Sequence, residues 1–562
     1  MGILSLLLLG FTHPSELRSM IHYKIWRDPL NDIKENPKQS GWDRQMMRDC
    51  WAFLDLTSRS FAAVIKELKG ELSRVICLFY LVLRALDTVE DDMTIPAEKK
   101  IPLLVNFYKK LEEPGWNFKE SGPDEKDRQL LVEFDKVIAE YQLLAPGYRT
   151  VISDITAKMG AGMASYIEAS SKSPLSMTRW ADYDLYCHFV AGLVGEGLSR
   201  LFSESEIERP WLGDQLSLSN HMGLFLQKTN IIRDYAEDCE EGRFFWPKEC
   251  WASKLAGFSS QKEVADGIVE TSPGSQKFRP EGEKGQRSMY VLSSMLLDAI
   301  AHSTHALDYL ALLKDQSVFN FCAIPQVMAI ATIDLMVNNP DVFKKNVKIR
   351  KGQAVQLIIK AVNPRDVAYT FLGYARSIHK KLSPSDPNFV RWAVELGRIE
   401  SWCETYYPSF VQPGNTNKAE DARSSGLKKW ASDRRYQAIV KAEAAKKGQD
   451  ASSSTTTSAI HPRDLMTSEE KSVQEKKERD EMIFFFIVII GTVTIAMGTV
   501  ALGIWFAAWY MTQEGQDPLS LSIQNAYYFV KNNGTTYAVD VYVEVKEAFG
   551  QVIGNLRNKV EL

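Results

Sequence analysis

The sequence predicts an all-α, single-domain helical bundle followed by a C-terminal transmembrane helix. Between about residues 38 and 407, apolar residues recur with three-four spacing in one segment after another, and no alternating strand pattern of useful length interrupts them. Proline and glycine fall mainly between these segments, as at Pro146-Gly147, where one helix would end before the next begins. Farther along, residues 482–513 contain no charged residue. These observations define the two parts of the prediction.

The predicted helices of the bundle follow the apolar spacing. They cover Cys50 to Leu68, Glu71 to Glu90, Arg128 to Leu144, Tyr148 to Ala169, Trp180 to Leu201, Leu216 to Asp238, Ser288 to Leu313 and Ile324 to Met336. The polar stretch from Ser259 to Arg287 breaks this rhythm, and we expect it to be an exposed loop over or beside the functional site.

The composition divides the chain into five predicted regions. Residues 1–37 form an N-terminal segment, and residues 38–410 form the all-α domain. Residues 411–481 are rich in Lys, Ala, Ser and Thr and are predicted to be a polar linker. Within the linker, residues 428–447 could form a basic helix on an anionic membrane surface or remain a solvated tether. The transmembrane helix and a lumenal tail, residues 514–562, follow.

Residues 482–513 are long enough to span a membrane. At about 1.5 Å per residue the segment exceeds the roughly 30 Å hydrocarbon core, and Trp505, Trp509 and Tyr510 suit an aromatic belt. A buried core helix is the alternative. Lysines and an arginine precede the segment and acidic residues follow it, so the positive-inside rule puts the large domain in the cytosol. The sequon at Asn533 lies on the lumenal side but adds little, and the terminal Lys-Val-Glu-Leu, one residue away from a retrieval signal, is read either as such a signal or as a plain tail end. We expect a single-pass protein of the endoplasmic reticulum membrane.

Charge and cysteine content exclude several classes of function. The net charge of −4 and the pI near 6.2 provide no basic field of the kind that nucleic acid requires, so we expect no nucleic-acid partner. The seven cysteines are scattered and never spaced as C-x-x-C, which disfavours a disulfide framework and a zinc site. We expect a monomer whose main domain lies in a reducing compartment.

Two acidic clusters with the same spacing are the strongest chemical signal. Asp87, Glu90 and Asp91 end one apolar helix, and Asp234 and Asp238 end another. Residues four apart share a helix face, so each cluster presents two carboxylates side by side. A chain with 71 acidic residues shows this spacing about once by chance. The context strengthens the signal, because each cluster ends a polar line along an apolar helix. Mg²⁺ is commonly held by one or two carboxylates plus substrate phosphates, so two diphosphate sites are predicted.

An arginine accompanies each cluster. Arg84 lies three residues before Asp87, and Arg233 directly precedes Asp234. Guanidinium groups bind phosphate oxygens in a bidentate manner and would help to stabilise a departing diphosphate. The alternative is that both arginines only neutralise neighbouring carboxylates.

The motifs around these clusters resemble squalene synthases of the phytoene/squalene synthase family. The resemblance covers about residues 39–407 and is carried by Ser58 to Phe61, Phe79 to Asp92, Tyr186 to Gly195, Gln227 to Asp238, Asn320 to Gln326 and Val347 to Gly352. It implies an isoprenoid-synthase-type fold that joins two farnesyl diphosphates head to head into presqualene diphosphate. Reduction with NADPH to squalene, which feeds sterol biosynthesis, would follow.

The resemblance also implies roles for individual residues. Asp87, Glu90 and Asp91 would bind Mg²⁺ beneath one diphosphate, and Asp234 with Asp238 would serve the other. The phenol of Tyr186 would relay the proton of the cyclopropane-forming step. The implied NADPH and phosphate contacts are Arg59, Arg84, Arg233, Lys348 and Arg350. Phe61 and Phe321 would stabilise carbocations through their ring faces.

Without the resemblance, several of these residues have plainer interpretations. Lys348 and Arg350 would be a solvated face, and Tyr186, Phe61 and Phe321 would be core residues. Two functional alternatives also stay open. A phytoene or dehydrosqualene synthase shares the fold and the first step but omits the NADPH reduction. A catalytically inactive scaffold would need neither acidic cluster.

Overall fold

The computed structural model describes residues 12–25, 27, 29–58, 61–172, 177–272 and 274–408. All of these belong to one compact unit within Met1–Ser454. The predictions for Arg59, for the linker, for the transmembrane helix at 482–513 and for the lumenal tail lie outside the described residues. The boundary predicted near residue 38 also stays a prediction.

The first half of the bundle contains the helix that carries the first acidic cluster. The helices are α1 (Pro14–Ile25), α2 (Pro37–Ser40), α3 (Gln45–Thr57), α4 (Phe61–Lys66), α5 (Leu72–Asp91), α6 (Ala97–Lys110), α7 (Arg128–Val132), α8 (Phe134–Gln142), α9 (Pro146–Lys172) and α10 (Trp180–Cys187). A π-helical turn, His188–Gly192, joins α10 to α11 (Leu193–Glu204).

The second half contains the other acidic cluster and a small hairpin. After a 3₁₀ turn at Pro210–Asp214 come α12 (Leu216–Arg233), α13 (Tyr235–Glu240), α14 (Lys248–Trp251), a 3₁₀ turn at Lys262–Gly267, β1 (Ile268–Glu270), β2 (Phe278–Pro280), α15 (Gly282–Ile300), α16 (Ser303–Leu312), α17 (Gln316–Met336), a 3₁₀ turn at Pro340–Phe343, α18 (Lys351–Lys360), α19 (Pro364–Lys381) and α20 (Phe389–Tyr406).

Helices α5 and α12 form the centre of the bundle. Helix α5 packs against α3, α8, α9 and α11, and α12 packs against α11, α15, α16 and α17. Most of α5 is buried, including Phe79, which is 1% exposed. Burial of one such side chain contributes about 1.5–3 kcal/mol. The two acidic clusters therefore stand at the ends of two helices that several others hold in place.

Several predicted helices are shorter than the apolar spacing suggested. The segments predicted at Cys50 to Leu68, Arg128 to Leu144 and Ser288 to Leu313 each form two helices. The segment from Trp180 to Leu201 continues, but through the π-helical turn. Apolar periodicity persists across a break when the second helix buries the same face, so periodicity alone does not locate these ends.

The predicted loop from Ser259 to Arg287 is partly regular, and this part of the prediction was wrong. It contains the hairpin of β1 and β2, which pair antiparallel with Ile268 opposite Pro280. Val264 and Ile268 are buried, and α15 begins at Gly282 rather than Ser288. The segment therefore packs against the rest of the domain through apolar side chains.

Helix α17 is the most continuously buried helix of the second half. Among the described residues it is the one helix that is long and apolar enough to cross a membrane, and most of it is buried inside the protein. Asp315 caps its N-terminus by accepting hydrogen bonds from the backbone N–H groups of Ser317 and Val318. It begins eight residues before the predicted Ile324 and runs through Pro325. We interpret it as a core helix.

Candidate active site

The polar line predicted along α5 is present. Tyr80, Arg84 and Asp87 are half-buried and Asp91 is exposed, whereas Val82 and Leu86 between them are fully buried. The side chains of Asp87 and Asp91 are 32% and 45% exposed. The rest of the helix is enclosed by neighbouring helices, so this line is the part of α5 that solvent reaches.

The carboxyl groups of the first cluster resist ionisation. Burial, together with the charge of Asp91, raises the pKa of Asp87 to about 7, although Arg84 acts against the shift. Burial and the charges of Asp91 and Asp87 raise the pKa of Glu90 to about 8. Neighbouring carboxylates disfavour each other's charge. The cluster is therefore suited to a cation that relieves this repulsion.

The second cluster is built differently from the prediction. Helix α12 ends at Arg233, and Asp234 occupies the junction with α13, with φ −92° and ψ 8°. The predicted continuous helix to Asp238 was therefore wrong at this residue. The backbone N–H of Asp238 still donates to the carbonyl of Asp234 at 2.9 Å, so the two carboxylates stay one turn apart. Burial raises the pKa of Asp238 to about 6 against the effect of Arg243.

Arg243 joins the two clusters, and sequence reasoning missed it. Its guanidinium donates to Asp91 Oδ1 and to Asp238 Oδ1, each at 2.8 Å. Gly242 adopts φ +79°, which turns the chain so that the backbone N–H of Arg243 donates to the carbonyl of Asp238 at 2.7 Å. The carboxylates of Asp91 and Asp238, 147 residues apart in sequence, thus both bind the guanidinium of Arg243.

The two predicted arginines make different contacts. Arg84 lies 4.0 Å from Asp87 Oδ2 and 3.9 Å from Asp127 Oδ2, and it donates to the hydroxyl of Tyr80. Arg233 instead holds Asp234 with two hydrogen bonds of 2.8 and 2.6 Å. In this structure Arg233 neutralises the neighbouring carboxylate of Asp234, as the alternative interpretation expects. Arg84 is at the longest distance that still counts as an ion pair with Asp87. The phosphate role of both stays a prediction.

Asn346 is a further site residue without a signal in the sequence. Its Nδ2 donates to Asp234 Oδ1 at 2.5 Å and to Glu237 Oε2 at 3.0 Å. Its Oδ1 is buried and has no hydrogen-bond partner. The segment that carries Lys348 and Arg350 therefore begins at the second acidic cluster.

Tyr186 lies beside the first cluster in a group of aromatic rings. Its ring stacks on Phe245 at 5.1 Å and meets Tyr166 at 4.7 Å, measured between ring centroids. Burial, with the charge of Glu90, raises the pKa of Tyr186 well above its ordinary value. The phenol therefore keeps its proton near neutral pH, close to the carboxylates. Neither Tyr166 nor Phe245 follows from sequence spacing.

Phe61 and Phe321 lie on two helices that pack together, α4 and α17. Phe61 is 36% exposed, whereas Phe321 is buried and packs edge-on against Phe202 at 6.0 Å between ring centroids. The position of Phe321 is that of an ordinary core residue, as expected without the family resemblance. A role for either ring in the chemistry rests on the motif resemblance and stays a prediction.

Lys348 is exposed, and Arg350 pairs with Glu16 of α1. Lys348 is therefore a solvent-exposed side chain, as expected without the family resemblance. Arg350 instead forms an ion pair with the carboxylate of Glu16. Their role toward a cofactor stays a prediction.

The carboxylates fit a metal ion that takes part of its shell from a ligand. Among the described residues, no group of three or more His, Cys, Asp and Glu side chains could hold a metal ion. The acidic residues come in close pairs instead, with raised pKa values for Asp87, Glu90 and Asp238. This donor set suits Mg²⁺, which keeps waters and accepts phosphate oxygens.

Comparison with known proteins agrees with this geometry. A family model described as squalene/phytoene synthase matches residues 54–353. A squalene synthase of Mycosarcoma maydis is 69% identical over 561 residues, with 98% of each chain covered. A squalene synthase of Ganoderma lucidum is 52% identical over 418 residues, which is 73% of this chain and 87% of the relative. A solved structure titled as TcSQS in complex with the ligand BPH1237 is 37% identical, with a TM-score of 0.58, and covers 64% of this chain and 99% of its own. The chain therefore belongs to the squalene/phytoene synthase family and is an enzyme of the squalene synthase kind.

Proposed function

We propose that the protein condenses two farnesyl diphosphates head to head into presqualene diphosphate and reduces this intermediate with NADPH to squalene. The single observation that carries the proposal is the contact of Arg243 with both acidic clusters, at 2.8 Å to Asp91 and to Asp238. A reaction that joins two diphosphate substrates needs two anion-binding positions at one cleft, and this contact supports that arrangement.

The acidic residues would bind the substrates through Mg²⁺. Asp87, Glu90 and Asp91 would hold the ion beneath one diphosphate, and Asp234 with Asp238 would serve the other. When bound, Mg²⁺ supplies positive charge that stabilises a departing diphosphate. Arg84 and Arg243 add fixed positive charge at the same cleft, and such preorganised charge is more effective where water is excluded.

Tyr186 is the proposed proton carrier of the first step. Its raised pKa keeps the phenol protonated, and its neighbours Glu90 and Asp91 belong to the first cluster. The carbon skeleton loses a proton as the cyclopropane closes. A phenol hydrogen-bonded to a diphosphate oxygen can take up this proton while it gives its own proton to that oxygen. The ring faces of Tyr166, Tyr186 and Phe245 offer negative quadrupole density that stabilises a nearby carbocation without trapping it.

The reductive step would use Lys348 and Arg350 for the phosphates of NADPH. The Arg350 guanidinium already accommodates a carboxylate, which supports its suitability for an anion. When bound, NADPH supplies the hydride of the second step.

One assay tests the proposal. The full chain in detergent micelles is given farnesyl diphosphate and Mg²⁺, with and without NADPH, and the products are identified by mass spectrometry. We expect presqualene diphosphate without NADPH and squalene only with it. Dehydrosqualene formed in the presence of NADPH would contradict the reductive step, and the absence of any turnover would favour a scaffold.

We further propose that residues 482–513 span the endoplasmic reticulum membrane once, with the catalytic domain in the cytosol. The support is the uncharged length of the segment and the basic residues before it, among them Lys476, Lys477 and Arg479. An anchor would keep the release of an insoluble product beside the bilayer. Protease protection of the tail in sealed microsomes, together with glycosylation at Asn533, would test this topology, and cleavage of the tail from the cytosolic side would contradict it.

A further inference from the structure

Helix α1 lies against α18, and its contact centres on Glu16. Glu16 is only 4% exposed, and its carboxylate accepts hydrogen bonds from Arg350 Nε at 3.0 Å and Arg350 Nη2 at 2.6 Å. The hydrogen bond with Glu16 raises the pKa of Arg350. A carboxylate buried to this extent needs a partner, and Arg350 supplies it.

The same carboxylate stands at the N-terminus of α18. Arg350 is the residue before the first turn, and the N–H groups of that turn have no acceptor within the helix. Gly352 lies in this turn, and a Cβ at that position would come within 2.6 Å of Glu16 Oε2. The missing side chain of Gly352 is what allows an anion to approach the backbone so closely.

A guanidinium, a helix N-terminus and a glycine together make a site whose chemistry suits phosphate. Anions are stabilised at helix N-termini by the oriented peptide dipoles, and guanidinium binds phosphate through paired hydrogen bonds. Glu16 is a single negative charge, whereas a phosphate monoester carries up to two. The carboxylate is therefore a weaker ligand for the same groups.

We infer that Glu16 fills an anion site at Arg350 and the first turn of α18, and that α1 must release this site before a phosphate group of the dinucleotide cofactor binds there. The inference rests on the proposed NADPH-dependent function. It makes Glu16 a residue that sets cofactor affinity from outside the reaction cleft.

The contact is suited to reversible release. Arg350 is 54% exposed, so solvent can hydrate its guanidinium when Glu16 moves away and reduces the cost of separating the pair. The chain after α1 has its own attachment, because Arg27 binds Glu67 through two hydrogen bonds of 2.5 Å. The N-terminal segment can thus leave Arg350 and remain tethered to the domain.

The test compares Glu16→Gln with Glu67→Gln in the full chain in detergent micelles. Both variants remove one buried carboxylate that pairs with an arginine, but only Glu16 touches the anion site. The dissociation constant of NADPH is measured by the fluorescence of the bound dinucleotide, which does not depend on turnover. NADH is measured in parallel, and melting temperatures confirm that both variants are folded.

We expect Glu16→Gln to lower the dissociation constant of NADPH about 3- to 10-fold, since it removes the negative charge that competes for Arg350. Glu67→Gln should leave this constant unchanged, and neither variant should alter presqualene diphosphate formation without NADPH. An equal gain for NADH would assign the pyrophosphate to the site, and a gain for NADPH alone would assign the 2′-phosphate. An unchanged or weaker NADPH affinity in Glu16→Gln would overturn the inference. Failure of the proposed function is distinct, because wild-type protein would then make no squalene whatever its affinity.

Discussion

Replacement of Arg243 by glutamine tests whether one cation organises both acidic clusters. The change leaves Asp238, which is 6% exposed, without its closest positive charge. Loss of one partner from a fully buried ion pair costs about 3–5 kcal/mol. Arg243 is 29% exposed, so solvent screens part of this loss and we expect the free energy of unfolding to fall by about 1–3 kcal/mol.

The effect on the rate should exceed the effect on stability. Removal of one preorganised positive group from a site where negative charge develops typically costs about 10²- to 10³-fold in rate. We therefore expect presqualene diphosphate formation, measured with Mg²⁺ and without NADPH, to slow by that factor. The Michaelis constant for farnesyl diphosphate should change less than kcat, because the charge on the leaving group increases as its bond breaks.

Arg200→Gln is the matched control. Arg200 also pairs with two carboxylates, those of Asp154 and Glu196, and is 27% exposed. None of these three residues touches the acidic clusters. Urea denaturation should show a loss of stability for both variants, smaller for Arg200→Gln because Asp154 and Glu196 are 37% and 15% exposed, while only Arg243→Gln slows the reaction. A wild-type rate for Arg243→Gln, or equal slowing by both variants, would refute the reasoning.

The remaining predictions concern the carboxylates and the phenol. Asp87→Asn should reduce presqualene diphosphate formation at least about 100-fold, because the first cluster loses a charged ligand; product at the normal rate would rule out the metal assignment. Tyr186→Phe should lower kcat for this step about 10²- to 10⁴-fold with the fold intact by circular dichroism, and an unchanged kcat would exclude the proton role. Protons compete with cations for Asp87 and Glu90, whose pKa values are raised to about 7 and 8. The Mg²⁺ concentration that half-saturates activity should therefore fall as the pH rises from 6 to 8.5, and a half-saturation independent of pH would contradict these shifts.

The sequence sufficed for features that depend on local spacing. The polar line of Tyr80, Arg84, Asp87 and Asp91 follows from helical periodicity, and α5 has nearly its predicted bounds, Leu72–Asp91 against Glu71 to Glu90. The same argument failed at Asp234, where the chain leaves one helix and starts another. A single residue in a non-helical conformation does not disturb the apolar pattern on either side, so no local signal marks it.

Contacts that residues distant in sequence make with the site could not be predicted. Arg243 meets Asp91 across 152 positions, and Asn346 meets Asp234 across 112. Phe245 stacks on Tyr186 for the same reason, since tertiary packing brings the turn after α13 next to α10. The spacing of residues along one helix contains no information about which distant loop covers it. The pairing of carboxylates within each cluster was therefore predictable from the sequence, whereas the residues that contact them from distant parts of the chain were not.

Helix α17 has a consequence for how the chain is made. As Gln316–Met336 leaves the ribosome, it has the length and apolarity of a segment that the membrane-insertion machinery accepts. In the finished protein it is covered by α12, which is synthesised earlier, and by α19, which is synthesised later. Of these two helices, α12 is the one that is available to cover α17 before α19 emerges. Mutations that loosen α12 would then divert the nascent chain toward misinsertion, a loss that the stability of the completed domain would not reveal.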